Sequence, residues 1–417
     1  MTELVTEGRK LVTVRTIDAI DAIEGADQIV AATVDGWQVV VKKGEFEVGQ
    51  KCVFFEIDSF VPANRKEFAF LAARGTKLDD EGKERCRLRT IKLRGVISQG
   101  LALPVTMFES TWEAIDEANG NHPDSYQSAA RDAVLASLED SRFGIENFID
   151  VIKYERPSEK NGGAGSRAKT GGEFPIVVPK TDEDRVQNIF GKFSQTMKGV
   201  AFRKSLKMEG SSHTIACLMN PDFFLHKLDD EVKEWDEEAQ ELKVVEVKPY
   251  PFNYEQGQIV VASRNHSLKY DPTSHFWTPV LETDLPRRLY EYCVENDRQL
   301  AIQSEVMGPG IQGNIEGFDK HQLFTFRIYD IDKRTLLTDA EFQEVAADLD
   351  LQLAPQGEII KFFDVHTDIK SALASAEHKS INAPQAEGDV YKSVDLVDGR
   401  IVSFKVINNK YLLKEKD

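Results

Sequence analysis

Six short motifs in the second half of the chain contain residues that could do chemistry. The first is KMEG at 207–210. Lys207 follows a segment with several apolar residues and begins a predicted tight turn, in which a glutamate and a glycine come after it. Lysine is usually a solvated surface charge, but a partly neutral lysine amine is a nucleophile. The motifs, in chain order, are KMEG at 207–210, SRN at 263–265, Glu305, YD at 329–330, EG at 387–388 and Lys405.

The motifs are informative only as a set, because each alone occurs by chance in many proteins. Apolar alternation and β-branched residues predict strands before Lys207, around Glu305 and before Tyr329. Lys405 lies on a predicted last strand. The order of the motifs and their placement at strand ends are therefore the signal.

In this order the motifs resemble the covalent nucleotidyltransferases, which are the ATP-dependent DNA and RNA ligases and the messenger-RNA capping enzymes. The likeness is strongest to ATP-dependent RNA ligases of the Deinococcus–Naegleria type, which place an oligonucleotide-binding-like domain before the nucleotidyltransferase domain. The upstream PKTDEDRVQN and the closing FKVINNKYLLK also look like that group. The resemblance by motif covers roughly residues 176–413.

The resemblance implies that Lys207 is the nucleophile and carries AMP as a lysyl-AMP intermediate. Free lysine has a pKa of about 10.4, so we expect cationic neighbours and metal-bound phosphates to lower the pKa of this amine. Gly210 allows a tight turn close to the nucleotide. By the same resemblance, Glu209 helps to read the sugar or the adjacent turn, and Arg264 contacts ribose or phosphate.

The later motifs are implied to bind the rest of the nucleotide and a metal ion. Glu305 and Glu387 resemble the acids that reach the ribose hydroxyls and a divalent cation, Mg²⁺ or Mn²⁺, for which hard oxygen ligands are suited. Tyr329 is aligned with the aromatic residue that stacks on adenine, although Phe326 could take that place instead. Lys405 resembles the lysine that neutralises the α-phosphate during transfer.

Two departures from the family pattern affect individual sites. Relatives commonly carry Lys-x-Lys on the last strand, whereas Ile407 fills the second position here. Lys410, three residues on, matches another common lysine, but its side chain would face differently. The spacing from Lys207 to Arg264 is longer than usual, and we assign the excess to a charged, solvent-facing insertion at 228–246.

The predicted fold class is α+β, with an N-terminal small β-barrel that is oligonucleotide-binding-like. The barrel occupies residues 1–105, where short strands alternate with turns such as the Asp-Gly hairpin signal VDGW at 34–37. Residues 106–175 are predicted to be a helical connector and flexible linker. Residues 176–417 are predicted to form a nucleotidyltransferase (adenylation) domain that is built on an antiparallel sheet and is of the ATP-grasp-like ligase type.

Helices are predicted at three places in the second domain. One follows the short strand at 176–179, with Thr181 and Asp182 as candidate N-caps. The other two cover 283–300 and 338–351.

The charge and the cysteine content limit which classes of protein are compatible with the sequence. The net charge of -18 counts against a nucleic-acid binder, but residues 1–100 hold 16 basic and 16 acidic residues, so the excess lies after that domain. The four cysteines are scattered without a CxxC pair, which argues against a zinc site or a disulfide framework. No apolar run of about 18 residues and no signal pattern is present, and we expect an intracellular protein, cytoplasmic or nuclear.

The alternation of Arg85, Arg87 and Arg89 predicts that all three side chains share one face of a strand. They could contact nucleic-acid phosphates or form a charged outer face of the barrel, and both interpretations stay open.

The implied function is an ATP-dependent RNA ligase for RNA repair, which seals 3′-OH and 5′-phosphate ends through lysyl-AMP and an adenylylated 5′-phosphate end. The expected partner is RNA or a nicked RNA/DNA duplex, with the protein a monomer away from membranes. A capping-type guanylyltransferase would use the same lysine with GTP. A non-catalytic nucleic-acid-binding protein with a degenerate transferase domain is the other alternative, and Ile407 is its best support.

Overall fold

The structure is a computed structural model that describes residues 10–118, 145–154, 169–236 and 241–414. Its strands are β1 (Val12–Thr16), β2 (Ala19–Ala22), β3 (Ile29–Val34), β4 (Trp37–Lys42), β5 (Lys51–Phe55), β6 (Ser59–Pro62), β7 (Lys77–Leu78), β8 (Glu84–Arg87), β9 (Ile91–Leu93), β10 (Val96–Ser98), β11 (Leu101–Pro104), β12 (Ile152–Lys153), β13 (Thr170–Glu173), β14 (Asp184–Arg185), β15 (Phe202–Leu206), β16 (Ser211–Leu218), β17 (Asp230–Asp236), β18 (Glu241–Lys248), β19 (Asn253–Tyr254), β20 (Gly257–Ala262), β21 (His266–Leu268), β22 (Leu300–Met307), β23 (Gln322–Asp330), β24 (Thr335–Leu336), β25 (Gln356–Ile360), β26 (Gly388–Ser393) and β27 (Ser403–Ile407). Its α-helices are Ala69–Ala72, Glu109–Ala118, Ile145–Ile149, Val186–Phe193, Thr278–Glu282, Leu285–Glu295, Asp339–Asp348, Phe362–Val365, Ile369–Ser375 and Asn409–Leu412.

The first domain is a small β-barrel made from short antiparallel sheets. The sheets have the orders β1-β5-β11, β2-β3-β4 and β12-β6-β8-β7, and the β9–β10 hairpin lies beside them. Asp35 and Gly36 connect β3 to β4 with φ angles of 48° and 78°. Two positive φ angles in a two-residue turn match the right-handed twist of the flanking strands, so the predicted Asp-Gly hairpin is present.

The helices after β11 pack on the barrel. Trp112 and Ile149, one from each helix, share an apolar cluster with Phe55 and Phe108 of the barrel. Strand β12 then pairs with β6 and extends a barrel sheet. The predicted connector helices lie partly at 119–144, outside the described residues, as does the linker at 155–168.

The second domain is built on two large sheets. One has the order β13-β21-β20-β16-β22-β23-β24, with β19 also paired to β20, and the other has the order β14-β27-β26-β15-β25. Every pairing between two of their strands is antiparallel except that of β14 with β27. The mixed α+β fold with a mostly antiparallel sheet domain is as predicted.

Two strands lie within the segment predicted as connector and linker. Strand β13 pairs with β21 although it lies within the predicted linker, and β12 belongs to the barrel. We propose that the first structural unit runs to residue 154 and that the second begins at 169, on either side of the Gly-rich segment.

The two domains contact each other through apolar packing and polar bonds. Ile407 is only 2% exposed and, with Leu412, joins the barrel cluster that contains Trp37. The Trp37 indole Nε1 donates to Asn188 Oδ1 at 2.7 Å. The position at which the resemblance implies a lysine is therefore part of a domain interface.

Two predictions about local structure need correction or refinement. The helix after β14 begins at Val186 with Arg185 as its N-cap residue, so Thr181 and Asp182 do not cap it. The insertion at 228–246 forms the hairpin β17–β18, which pairs with no other described strand. The predicted helices at 283–300 and 338–351 are present as Leu285–Glu295 and Asp339–Asp348.

None of the helices in the described ranges is both long and apolar enough to cross a membrane.

Candidate active site

Lys207 directly follows β15 and is fixed to the neighbouring strand by its own backbone. Its N–H donates to the carbonyl of Gly388 at 2.9 Å, so the KMEG motif and the EG motif lie side by side. The Lys207 ammonium donates to Glu387 Oε2 at 2.7 Å, and the lysine side chain is 28% exposed. Asn408 steadies the same loop because its N–H donates to the Glu387 carbonyl at 2.9 Å. The adjacent strands β15, β26 and β27 thus bring three motifs together.

Glu305 approaches Lys207 from the other sheet. It lies on β22, and its Oε1 accepts the Gly210 N–H at 3.2 Å. A Cβ at Gly210 would lie 2.4 Å from the Val306 carbonyl oxygen and 2.9 Å from Glu305 Cγ. Glycine is therefore needed at 210 because the turn after Lys207 lies against the backbone of β22.

The charges around Lys207 are carboxylates. Burial lowers the pKa of Lys207, but the Glu387 and Glu305 carboxylates outweigh burial and hold the pKa above its ordinary value. The pKa of Glu305 is raised to about 7, mainly by burial and also by the Glu387 carboxylate, against the lowering effect of Lys207. The expected lowering of the lysine pKa is thus absent in the free protein, where the amine is an ammonium ion.

Basic side chains converge beside this acidic group on the carboxylate of Asp182. Arg264 Nη2 donates to Asp182 Oδ1 at 2.9 Å, and Lys153 Nζ, from the first domain, donates to Oδ2 at 3.0 Å. Burial raises the pKa of Asp182, but Lys153, Arg264 and Lys405 together hold it well below its usual range. The two motif cations Arg264 and Lys405 therefore share one protein anion.

A small cleft lies between the two sheets. One wall includes Ser205, two residues before Lys207, and the other includes Phe326 on β23. Phe326 also packs beside Leu206 and Met208. The cleft is therefore lined by an aromatic side chain on β23 and by the strand that precedes Lys207.

The two aromatic candidates lie in different environments. Tyr329 packs against the apolar cluster that includes Leu285 and Leu289 of the helix Leu285–Glu295. Phe326 lines the cleft, so of the two residues it is the one placed to stack on a base.

Lys392 in the cleft was not identified by sequence reasoning. Its Nζ lies 5.7 Å from the Phe326 ring centroid. Burial lowers the pKa of Lys392 to about 8, with Glu183 opposing that shift and the Arg327 cation adding to it. The signal that could have found it is strand alternation in GDVYKS, which places Lys392 on the same face as Val390.

Glu316, also not identified from sequence, organises the loop that leads to Glu387. Its carboxylate accepts the N–H of Asn382 at 2.6 Å and that of Ala383 at 3.0 Å, and it also bonds the Ser380 hydroxyl. The side chain is 4% exposed. Since residues 380–383 lie only a few positions before Glu387, this buried carboxylate limits where Glu387 can lie.

Three arginines predicted as candidate nucleic-acid contacts do not form one exposed stripe. Arg85 is 2% exposed and is paired with Asp79 and Asp150. Arg87 bonds Asp58 at 2.8 Å and is also buried, with 7% side-chain exposure. Arg89 is exposed. Charge partners distant in sequence therefore turn two of the three guanidinium groups inward.

Two further predictions concern a compensating lysine and a metal ion. Lys410 pairs with Glu377 at 2.5 Å and is 64% exposed. No group of three or more His, Cys, Asp or Glu side chains in the described ranges could hold a metal ion by itself. The carboxylates of Glu305 and Glu387 flank one lysine, so their excess negative charge suits a cation that takes its other ligands from phosphate and water.

Family comparisons match both domains. A model described as RNA ligase matches residues 204–407, and a model described as an OB-fold domain matches residues 11–105. No curated protein sequence matches the chain.

The chain is similar over almost its whole length to solved structures of the Naegleria gruberi RNA ligase. A mutant of that ligase with ATP and Mn has 30% identity and a TM-score of 0.73, covering 98% of this chain and 100% of that chain. The ligase with PPi has 30% identity and a TM-score of 0.72, with 98% and 99% covered. An apo mutant has 29% identity and a TM-score of 0.74, with 99% and 100% covered.

Proposed function

This chain belongs to the RNA ligase family, and on that premise we propose that Lys207 is the residue to which AMP is transferred. The protein is an ATP-dependent RNA ligase, an enzyme that forms phosphodiester bonds. The observation that carries the assignment of Lys207 is its position between two acids from different sheets, with its Nζ 2.7 Å from Glu387 Oε2.

The reaction needs a neutral amine at Lys207. In the first step the lysine nitrogen loses a proton and bonds the α-phosphorus of ATP, while the bond from that phosphorus to pyrophosphate breaks. In the second, an oxygen of the RNA 5′-phosphate displaces the lysine nitrogen from AMP. In the third, the 3′-OH loses its proton and attacks the 5′-phosphorus, and AMP leaves with the electron pair.

Glu387 and Glu305 control the proton on Lys207. The pairing with Glu387 favours the ammonium form, so the amine becomes nucleophilic only when that carboxylate is drawn to another cation. Glu305 and Glu387 would hold a divalent metal ion, and that ion would supply this positive charge. We therefore assign Glu305 and Glu387 as the metal-binding residues, and ATP with Mg²⁺ or Mn²⁺ as the cofactors.

The cations around Asp182 are assigned to phosphate. Arg264 and Lys405 supply the positive charge for the triphosphate and for the developing charge on the α-phosphate. Asp182 holds Arg264 in place before the substrate binds, at 2.9 Å. Glu209, which also raises the pKa of Lys207, is assigned to the sugar side of the site.

The adenine base is assigned to the surface beside Phe326. The Phe326 ring offers a stacking face, and Lys392 offers an ammonium donor to a ring nitrogen acceptor of the base. Tyr329 is assigned a packing role because it lies with the apolar cluster beneath the helices.

The finer substrate assignment is a break with 3′-OH and 5′-phosphate ends in RNA, either in one strand of an RNA duplex or in an RNA/DNA duplex. The family implies a nucleic-acid substrate, and the barrel next to the adenylation domain supports the duplex assignment. We propose that the enzyme works as a monomer in the cytoplasm or nucleus.

Labelling with nucleotide tests the assignment. Wild type, Lys207→Ala and Lys207→Arg are incubated with α-labelled ATP or GTP and Mg²⁺ or Mn²⁺, then separated by denaturing electrophoresis. We expect label from ATP on wild type and on neither variant. Lys207→Arg keeps the positive charge, so the absence of label on it would show that charge alone does not replace the nucleophile. Label on Lys207→Ala equal to wild type would overturn the assignment of the nucleophile.

A further inference from the structure

Residues 85–108 contain no acidic side chain, although the chain as a whole has 70 Asp and Glu in 417 residues. At that average, a segment of this length would hold about four acids. The segment contains five basic residues, and the structure divides them into two groups. Arg85 and Arg87 are turned inward onto acids from other segments, whereas Arg89, Lys92 and Arg94 are exposed.

Lys92 and Arg94 lie on the hairpin formed by β9 and β10. Leu93 pairs with Val96, and Arg94 and Gly95 form the turn with φ angles of 47° and 85°. Hairpin turns of this kind usually carry Asn, Asp or Gly, because a bulky side chain at positive φ is strained. A strained residue in a structure is a reason to look for a function.

The hairpin is anchored firmly at its base. Gln38 Nε2 of β4 donates to the Ile97 carbonyl at 2.7 Å, and the Val40 N–H donates to Ser98 Oγ at 3.0 Å. The Gln99 N–H donates to the Gln38 carbonyl at 2.8 Å. The tip therefore projects from a fixed support, and in the described ranges no carboxylate pairs with the side chain of Lys92 or Arg94.

The base of the hairpin is beside the domain interface. Gln38 follows Trp37, whose indole bonds Asn188 of the second domain and which shares a cluster with Ile407. Ile407 pairs across the sheet with Gly388, the neighbour of Glu387. Arg94, at the tip, is three residues from Ile97, and at the rise of a strand this is a distance of roughly 10 Å. Along one nucleic-acid strand, the same distance covers about three phosphates.

We propose that the β9–β10 hairpin binds the phosphate backbone of the RNA next to the break, through Lys92 and Arg94. This inference rests on the proposed function and names the surface that holds its nucleic-acid substrate. The rest of the chain carries the negative charge, so an exposed, acid-free basic hairpin complements phosphate. Such contacts position the substrate without reading its sequence.

The test variant is Lys92→Gln with Arg94→Asn. Asparagine tolerates a positive φ better than arginine does, so the turn is kept while both charges are removed. The matched control is Lys42→Gln with Lys43→Gln, which removes two exposed charges at the far end of β4 in the same domain. Arg94→Lys keeps the charge at the tip.

The measurement is binding of a fluorescent nicked RNA duplex, followed by anisotropy at salt concentrations from 50 to 200 mM. We expect the hairpin variant to bind about tenfold more weakly at low salt, and its slope of log affinity against log salt to be smaller by about 1 to 2. The Lys42/Lys43 control and Arg94→Lys should bind within about twofold of wild type.

Labelling of Lys207 by ATP is measured on the same samples, since that step involves no nucleic acid. Wild type that takes no label contradicts the proposed function. Wild type that takes label while the hairpin variant binds with an unchanged affinity and slope contradicts the hairpin proposal. An equal loss in the Lys42/Lys43 control also overturns it, because the effect would then come from overall charge.

Discussion

The Arg264 guanidinium donates to Asp182 Oδ1 at 2.9 Å, and the Lys153 ammonium donates to both oxygens of the same carboxylate, at 3.2 and 3.0 Å. Asp182 is therefore paired with these cations before any phosphate binds. An incoming phosphate must share them with Asp182 or replace it, which makes the carboxylate a competitor for the substrate as well as a positioning residue.

Removal of the charge at Asp182 should tighten the binding of a small polyphosphate. We expect Asp182→Asn to bind inorganic pyrophosphate about fivefold more tightly, because one repulsive charge near the phosphates is worth about 1 kcal/mol in a solvated site. Isothermal titration calorimetry measures this. Weaker binding in the variant would mean that the carboxylate mainly holds Arg264 in position.

Replacement of the Glu305 carboxyl should stabilise the fold at high pH. The pKa of Glu305 is raised from 4.5 to about 7, so the folded protein binds more protons than the unfolded chain between those values. The free energy of unfolding of wild type therefore falls as pH rises through this window. Glu305→Gln should be more stable than wild type by about 1–3 kcal/mol at pH 8 and equal to it below pH 4.5.

Denaturant unfolding at several pH values checks the Glu305 prediction. Glu295→Gln is the matched control, since Glu295 is exposed. A difference between Glu305→Gln and wild type that does not change from pH 4.5 to pH 8 would contradict it.

Loss of the Glu316 carboxylate should impair the use of the metal ion. Both backbone N–H groups donate to Glu316 Oε2, and the Ser380 hydroxyl donates to Oε1. Glu316→Gln makes the shared acceptor neutral and turns an amide NH₂ toward Ser380, which loosens the loop before Glu387. We expect the Mn²⁺ concentration for half-maximal labelling of Lys207 to rise about tenfold, with unfolding measured in parallel. Glu377→Gln, which changes a nearby surface carboxylate, should leave that concentration unchanged. A lower labelling rate with the same Mn²⁺ dependence would indicate a purely structural role.

Introduction of the lysine found in relatives should destabilise this protein. Ile407 is buried in the barrel cluster, so Ile407→Lys places an ammonium among apolar side chains and should cost about 2–4 kcal/mol of unfolding free energy. Ile407→Val should cost about 1 kcal/mol. Faster adenylation by Ile407→Lys without loss of stability would show that this position still faces the phosphates.

Local patterns predicted much of the fold because strand alternation and turn chemistry depend on neighbouring residues. The Asp35-Gly36 hairpin and the helix Asp339–Asp348, which begins with a Thr338 capping box, are examples. The order of the motifs also predicted that Lys207, Glu305 and Glu387 lie together, which the structure shows.

The remaining features depend on partners distant in sequence, which periodicity does not report. Asp182 has the residue type of an N-cap, yet it is 29 positions from Lys153 and 82 positions from Arg264, the cations it holds. Arg85 alternates like a surface residue, but Asp150 is 65 positions away. Glu316 lies in a Gly-rich loop without any motif, so only the folded chain shows its role.

The burial of Ile407 and Leu412 in the barrel cluster has a consequence for motion between the domains. To swing the barrel away from the second domain, the chain would have to expose both side chains, at about 1.5–3 kcal/mol each. An arrangement with the barrel detached would then hold fewer than about one molecule in a hundred. Because Ile407 ends the strand that carries Lys405, any tilt of the barrel would also displace that strand.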